Sequence, residues 1–222
     1  MCHYLVKTHG QNQKTIFFVV PSLGAGGAER VAANLCKGLP PARWRPVFVT
    51  VLGAGPYAGD LPPHAEHIDL GKRSRWDNPA TLIRLARLLQ QRKPDLVHTR
   101  IYFMALLTWL ARAIAGGSSR LVSAVDNTLS LSLEDERFTG VRRWMCRRVL
   151  PGIDHLVATS RGVREDLIDN FAVPENRCSV ISNGVDVALV RRRMVEPLED
   201  CRLADEGPTL VAAGRLVPQK NY

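Results

Sequence analysis

Several stretches of this 222-residue chain carry residues whose types and spacing could do chemistry. The stretch GAGGAER, Gly24 to Arg30, lies between the apolar run IFFVVPSL and the helical pattern VAANLCKGL. Glycines in such a turn let backbone N–H groups approach a ligand, and the following helix points its positive end at the same place. Gly26 and Gly27 therefore read as an anion cradle with Arg30 beside it; a tight turn with purely steric needs accounts for the same glycines. Asp126 and Asn127 in SAVDNTLS, His98 and Arg100 in DLVHTR, and Asn183 in ISNGVD all stand at the ends of apolar runs. An aspartate there acts as a general base or orients a hydroxyl, or it caps the turn while Asn127 takes a left-handed conformation. His98 reads as a rim residue before it reads as a catalyst. Asn183-Gly184 is first of all a turn signal. In AAGRLVPQKN, Arg215 and Lys220 are two cations beside another strand end, either a clamp for a diphosphate or a solvated loop.

Spacing removes two familiar phosphate sites. A dinucleotide fingerprint starting at Gly24 needs glycine where Glu29 stands, and the next strand, VFVTVLG, ends without the acid that would hold a ribose. No G-x-x-x-x-G-K-[ST] occurs, so a P-loop is absent as well.

The elements that must position these residues alternate. Short apolar, β-branched runs at 15–22, 45–52, 67–70, 95–100, 120–126, 155–160 and 178–184 are separated by helical patterns at 28–39, 79–92, 102–115, 138–149 and 161–170. Strands that read as continuous apolar runs are buried on both faces, which implies a doubly wound α/β domain with a Rossmann-like parallel sheet and helices on each side. Ligands in such folds sit at the carboxyl ends of the strands, where the candidates above fall. The helix over 79–92 is expected to bury Leu82, Ile83, Leu85, Ala86 and Leu89 and to end at Pro94. The segment RFTGVRRWMCRRVL places Val141, Trp144, Met145 and Val149 on one helical face and four arginines on others. It is read as a surface helix packing that stripe on the sheet, with a basic contact to an anionic membrane surface as the alternative.

Composition bounds the rest. A chain with 45% hydrophobic residues can bury a substantial core, and a formal charge of +9, mostly from arginine, suits phosphate-bearing ligands, anionic lipid surfaces or nucleic acid. No aromatic-interleaved platform accompanies the charge, so nucleic acid is not expected. Five scattered cysteines without a C-x-x-C pair indicate neither zinc nor a disulfide framework and fit a reducing compartment. No stretch reaches the roughly 18–20 apolar residues of a membrane span, and the chain reads as cytoplasmic. The organisation expected is a flexible tail over 1–14, a Rossmann-like domain over 15–187, a charged linker over 188–207, and over 208–222 the first strand and turn of a second domain.

Four stretches occur in order, LGAGGAER, LVATSRGVREDL, ISNGVD and GRLVPQKN, and together they resemble the GT-B glycosyltransferases of family 4 over nearly all of 15–222. The resemblance implies two Rossmann-like domains facing a cleft, of which this chain supplies the N-terminal, acceptor-side one and the start of the donor-side one. It implies transfer of a sugar, with retention, from a nucleotide-sugar to a glycan or lipid-linked acceptor, without a bound metal or other cofactor. Gly26, Gly27, Arg215 and Lys220 would then hold the donor diphosphate, with the two cations stabilising the leaving group. Arg30, His98, Asn127 and Asn183 would line the cleft. Where the family commonly has a histidine before the asparagine, this chain has Asp126, which would take the place near the transferred sugar. The family's glutamate-bearing donor motif belongs to the second domain and does not occur in these 222 residues. A non-catalytic fragment, an acceptor-binding module and a nucleotide-sugar epimerase are the alternatives that the sequence leaves open.

Overall fold

The computed structural model describes residues 13–24, 26–72, 77–134 and 137–197, with 212 and 214. Arg215 and Lys220 lie outside the described residues. The chain divides into two units, 1–185 and 186–222.

In the first unit the order is β1 (Lys14–Val20), α1 (Gly27–Gly38), β2 (Trp44–Thr50), β3 (Glu66–Asp69), α2 (Asn78–Arg92), β4 (Leu96–Arg100), α3 (Tyr102–Ile114), β5 (Arg120–Val125), α4 (Leu129–Glu134), α5 (Thr139–Val149), β6 (His155–Ala158), α6 (Arg161–Phe171) and β7 (Cys178–Val180). The described strands form one parallel sheet in the order β3-β2-β1-β4-β5-β6-β7. This is the Rossmann-like α/β architecture expected from the alternation of runs.

The reversal of strand order beside β1 decides where the helices go. Right-handed crossovers running one way from β1 lie on one face of the sheet and those running the other way lie on the opposite face. Accordingly α1 packs through Ala32 and Cys36 on Ile16, Phe18, Val20 and Phe48. The helices after β3 cover Phe17, Val19, Val47, Val97, Leu121 and Leu156 on the other side. Phe17, Phe18 and Phe48 are all but fully buried, each contributing about 2 kcal/mol of apolar burial, and Phe18 stacks on Phe48 with ring centroids 4.9 Å apart. Burial also holds thiols in their neutral form: the Cys36 thiol is pushed up to about 12, and that of Cys178 is raised for the same reason.

Two helices differ from their sequence pattern. In α2 the buried positions are Thr81, Leu85, Ala86 and Leu89, whereas Ile83 is exposed. Thr81 can turn inward because its hydroxyl donates to the Asp77 carbonyl at 2.8 Å, which satisfies it inside the helix. The stripe expected on α5 is split: Cys146 and Val149 face the core with Met145 packed against it, but Val141 and Trp144 are exposed. Cys146 takes the inward place the longer side chains were expected to fill.

In the second unit, α7 (Val187–Arg193) is capped at its start by Asp186, whose carboxylate accepts from Leu189 N at 2.9 Å.

Candidate active site

The reversal of strand order lies between β1 and β4, and the turns after these two strands open on the crevice where α/β sheets bind ligands. After β1, the GAGGAER turn is braced by the segment following β2. Tyr57 N donates to the Leu23 carbonyl at 3.0 Å, and a Cβ on Gly55 would stand 2.3 Å from that carbonyl oxygen. Only glycine allows that approach. Arg30 lies over the Tyr57 ring, 4.4 Å from its centroid, and donates to its hydroxyl at 3.2 Å.

Gly26 is the N-cap of α1, in extended conformation, and Gly27 opens the helix. Glu29, buried at the third helical position, folds its carboxyl back over Gly26, where a Cβ would come within 2.1 Å of Oε2. The start of α1, read from sequence as an anion cradle, is thus covered by a carboxyl group of the helix itself. No sequence motif announced this, although Glu three residues after an N-cap is half of a capping box.

At the ends of β4, β5 and β7 the structure brings together three residues that lie far apart in sequence. Register pairs Arg100 with Ala124, and Asp126 follows two residues on. Arg100 is 3% exposed and ion-paired through Nη2 with Asp126 Oδ1; the same Nη2 donates to Asn183 Oδ1 at 2.8 Å, and Asn183 Nδ2 donates to Asp126 Oδ1 at 3.1 Å. Two donors, a guanidinium and an amide that are themselves bonded to each other, thus converge on one carboxylate oxygen. The other oxygen, Asp126 Oδ2, and Arg100 Nε are buried and have no protein partner among the described residues. Ile101, the next residue, has φ of 70°, an outlier for a β-branched side chain that costs on the order of 1–3 kcal/mol and marks the end of β4 as a constrained place.

His98 shares its sheet face with Arg100. In register with Phe18, it stands 5.4 Å from that ring, and its Nδ1 is buried and has no partner among the described residues. Burial first, and the Arg100 guanidinium second, push its pKa down to about 4 against the opposing pull of Asp126. It is a neutral imidazole at neutral pH.

Asn127 is exposed and does not adopt the left-handed conformation considered for it; among the described non-glycine residues that conformation falls to Lys93, Phe138 and Ala172. The residues that fix Asp126 come from elsewhere. Thr159 after β6 donates its hydroxyl to the Asp126 carbonyl at 3.2 Å. Asp166 of α6, buried, accepts from Leu129 N at 2.7 Å, Ser130 N at 3.1 Å and Asn170 Nδ2 at 2.9 Å, so it caps α4 from outside. The signal for Asp166 was present in sequence: an acid on the face that Val163, Leu167 and Phe171 bury. β2 ends on Thr50, whose buried hydroxyl is bonded to His67 Nε2 at 2.9 Å, and so offers no acid to a dinucleotide ribose.

Comparison with known proteins identifies the family and the fold. Residues 25–189 match the model of Glycosyltransferase Family 4. Over 95% of its length the chain is 26% identical to the N-acetylgalactosamine-N,N'-diacetylbacillosaminyl-diphospho-undecaprenol 4-alpha-N-acetylgalactosaminyltransferase of Campylobacter jejuni, and it spans 57% of that relative. In fold it is similar to Anabaena Alr3699/HepE in complex with UDP (TM-score 0.61, 17% identity, 81% of this chain and 50% of that one). It is also similar in fold to UDP-N-acetylglucosamine 2-epimerase of Rickettsia bellii (TM-score 0.58, 13% identity, 82% and 48%). The chain therefore spans about half the length of these relatives, and because transferase and epimerase share the fold, it is the family match that separates them. The chain belongs to Glycosyltransferase Family 4.

Proposed function

We propose that this chain forms the acceptor-side part of a retaining glycosyltransferase that moves a sugar from a nucleotide-sugar to a lipid-linked or glycan acceptor. The observation that carries the reading is the convergence of Arg100, Asn183 and Asp126 at the carboxyl edge of the sheet, beside the β1–β4 crevice. A carboxylate held on one oxygen by a guanidinium and an amide keeps its second oxygen, buried and without a protein partner among the described residues, fixed in direction; it would accept a hydrogen bond from a sugar hydroxyl, or take its proton, once the rim over it parts. Asp126 would stand near the reacting sugar, with His98, Asn127 and Asn183 lining the cleft and Arg30 at its β1 side. His98, being neutral, adds no charge there.

Gly26 and Gly27 would meet the donor diphosphate once the Glu29 carboxyl has swung away, an exchange of one anion for another at the same helix start. Arg215 and Lys220 would hold that diphosphate and stabilise the leaving group, doing without a metal. The relative that acts on an undecaprenol-linked diphosphate favours a lipid-linked acceptor, and such an acceptor implies work in the cytoplasm at the inner face of a membrane.

The test is transfer of labelled sugar from a panel of nucleotide-sugars to a polyprenyl-diphosphate-linked saccharide by the protein in its native length. Donor-dependent label in the lipid fraction is expected. Interconversion of donor sugars without acceptor would replace this reading with epimerisation.

A further inference from the structure

The outer surface of the helical layer formed by α3, α4 and α5 exposes side chains that a water-facing surface does not need. Phe138 is 73% exposed, Leu131 61%, Trp144 60% and Val141 58%, and Phe103 and Leu110 of α3 continue the apolar surface on the neighbouring helix. α5 packs against both α3 and α4, so these side chains belong to one continuous helical layer. None serves the core of the sheet.

Beside them α4 ends on the exposed acid Glu134, but the charge along α5 has one sign. That helix carries four arginines and no acid; Arg147 and Arg148 are exposed in its last turn, and Arg137 is exposed just before it. Two of these cations lie on the aromatic rings themselves: Arg148 is 5.7 Å from the Trp144 centroid and Arg137 is 5.8 Å from that of Phe138. Aromatic and aliphatic groups that enter an interface, ringed by arginines that stay at headgroup level, are the composition of a surface resting on anionic lipid. A protein partner with an apolar face would satisfy the aromatics and leave the arginines without a purpose.

The surface also adjoins the site. α4 begins three residues after Asp126 and presents Leu131 outward, and Arg142 of α5 donates to the hydroxyl of Tyr102 at 2.6 Å, two residues after Arg100. We infer that the α3–α5 face seats the protein on an anionic lipid bilayer, with Phe138 and Trp144 as inserted anchors, so that a lipid-linked acceptor reaches Asp126 from the membrane. The choice of acceptor rests on the function proposed above; the bilayer contact itself does not.

Flotation with vesicles tests it without donor or acceptor. The protein should float with vesicles of phosphatidylglycerol and phosphatidylcholine at low salt and stay behind with phosphatidylcholine alone. Replacing Arg147 and Arg148 by glutamine should weaken the partitioning by about fivefold for each arginine and flatten its salt dependence. F138S/W144S should abolish it while the far-ultraviolet spectrum and melting temperature stay as in the wild type, because both side chains are exposed. Equal binding to neutral vesicles, or wild-type binding by F138S/W144S, would overturn the inference. So would a dimer, seen by sedimentation velocity, that F138S/W144S dissociates in a protein that binds no vesicles, since the face would then belong to a second copy. Failure of flotation with transfer to a soluble acceptor intact would remove the membrane contact and leave the glycosyltransferase reading standing.

Discussion

Arg100 holds Asp126 from the adjacent strand: a guanidinium 3% exposed at the last residue of β4 is paired with a carboxylate at the exit of β5, and Asn183 bridges the two. Removing the cation would leave the carboxylate without its counter-charge in a largely buried place, which costs roughly 3–5 kcal/mol for fully buried pairs and correspondingly less here, with Asp126 23% exposed. R100M should therefore destabilise by about 2–3 kcal/mol in urea, and R100M/D126N should cost clearly less than the sum of the single changes. Additive effects would mean that the pair is not coupled.

Gly26, at the end of the turn after β1, and Gly55, in the segment after β2 that braces that turn, should respond differently to alanine. At Gly55 the added Cβ meets backbone, Leu23 O at 2.3 Å, so G55A forces the turn itself to move and should cost about 2–3 kcal/mol. At Gly26 it meets only the end of the Glu29 side chain, and φ is −78°, so G26A should cost under about 1 kcal/mol, and nothing further in an E29A background. Denaturant midpoints of the four variants check both statements. A G26A penalty that persists beside E29A would mean that Glu29 is not what the methyl group meets.

Asp166 supports the site through α4. D166A would orphan the amides of Leu129 and Ser130 inside the protein, and a loss of about 2–3 kcal/mol is expected, with faster amide exchange over 129–134. Unchanged exchange there would mean that α4 needs no cap from α6.

His98 sets a pH dependence. Its pKa falls from 6.5 unfolded to about 4 folded, so between these values the unfolded chain binds the proton first. Stability from this residue is complete above pH 6.5, falls as pH falls toward 4, and the loss totals about 3 kcal/mol. Urea titrations at pH 7 and pH 4 should show a loss on acidification that is smaller by this order in H98Q than in the wild type.

The strands were legible because a parallel sheet buried on both faces needs unbroken apolar runs, and IFFVV and PVFV supply them. The segment after Asp126 was not. Leu129, Leu131 and Leu133 alternate as a strand would, yet they form a helix, because Asp166 holds its first amides and Leu129 and Leu133, four apart, turn inward. On α5 the sequence could not say which way the helix is rotated, since Val141 and Trp144 are as apolar as the residues that were buried. For the site, each of Arg100, Asp126 and Asn183 was visible as a strand-end residue, but their pairing depends on register between strands, which no local pattern encodes. The fold over Gly26 was equally hidden, being a choice of side-chain conformation by Glu29.

If the carboxylate fixed by Arg100 serves sugar transfer, Asp126 is the residue whose loss must show it. The most direct measurement is the turnover of D126N beside wild type, in the native-length protein, on the nucleotide-sugar that the wild type uses, with thermal melts to establish that both are folded. Loss of the carboxylate should lower kcat by about 10²–10⁴ while leaving KM for the donor within a few fold, as expected when a positioned base or hydroxyl acceptor is removed. Transfer by D126N at the wild-type rate would contradict the account.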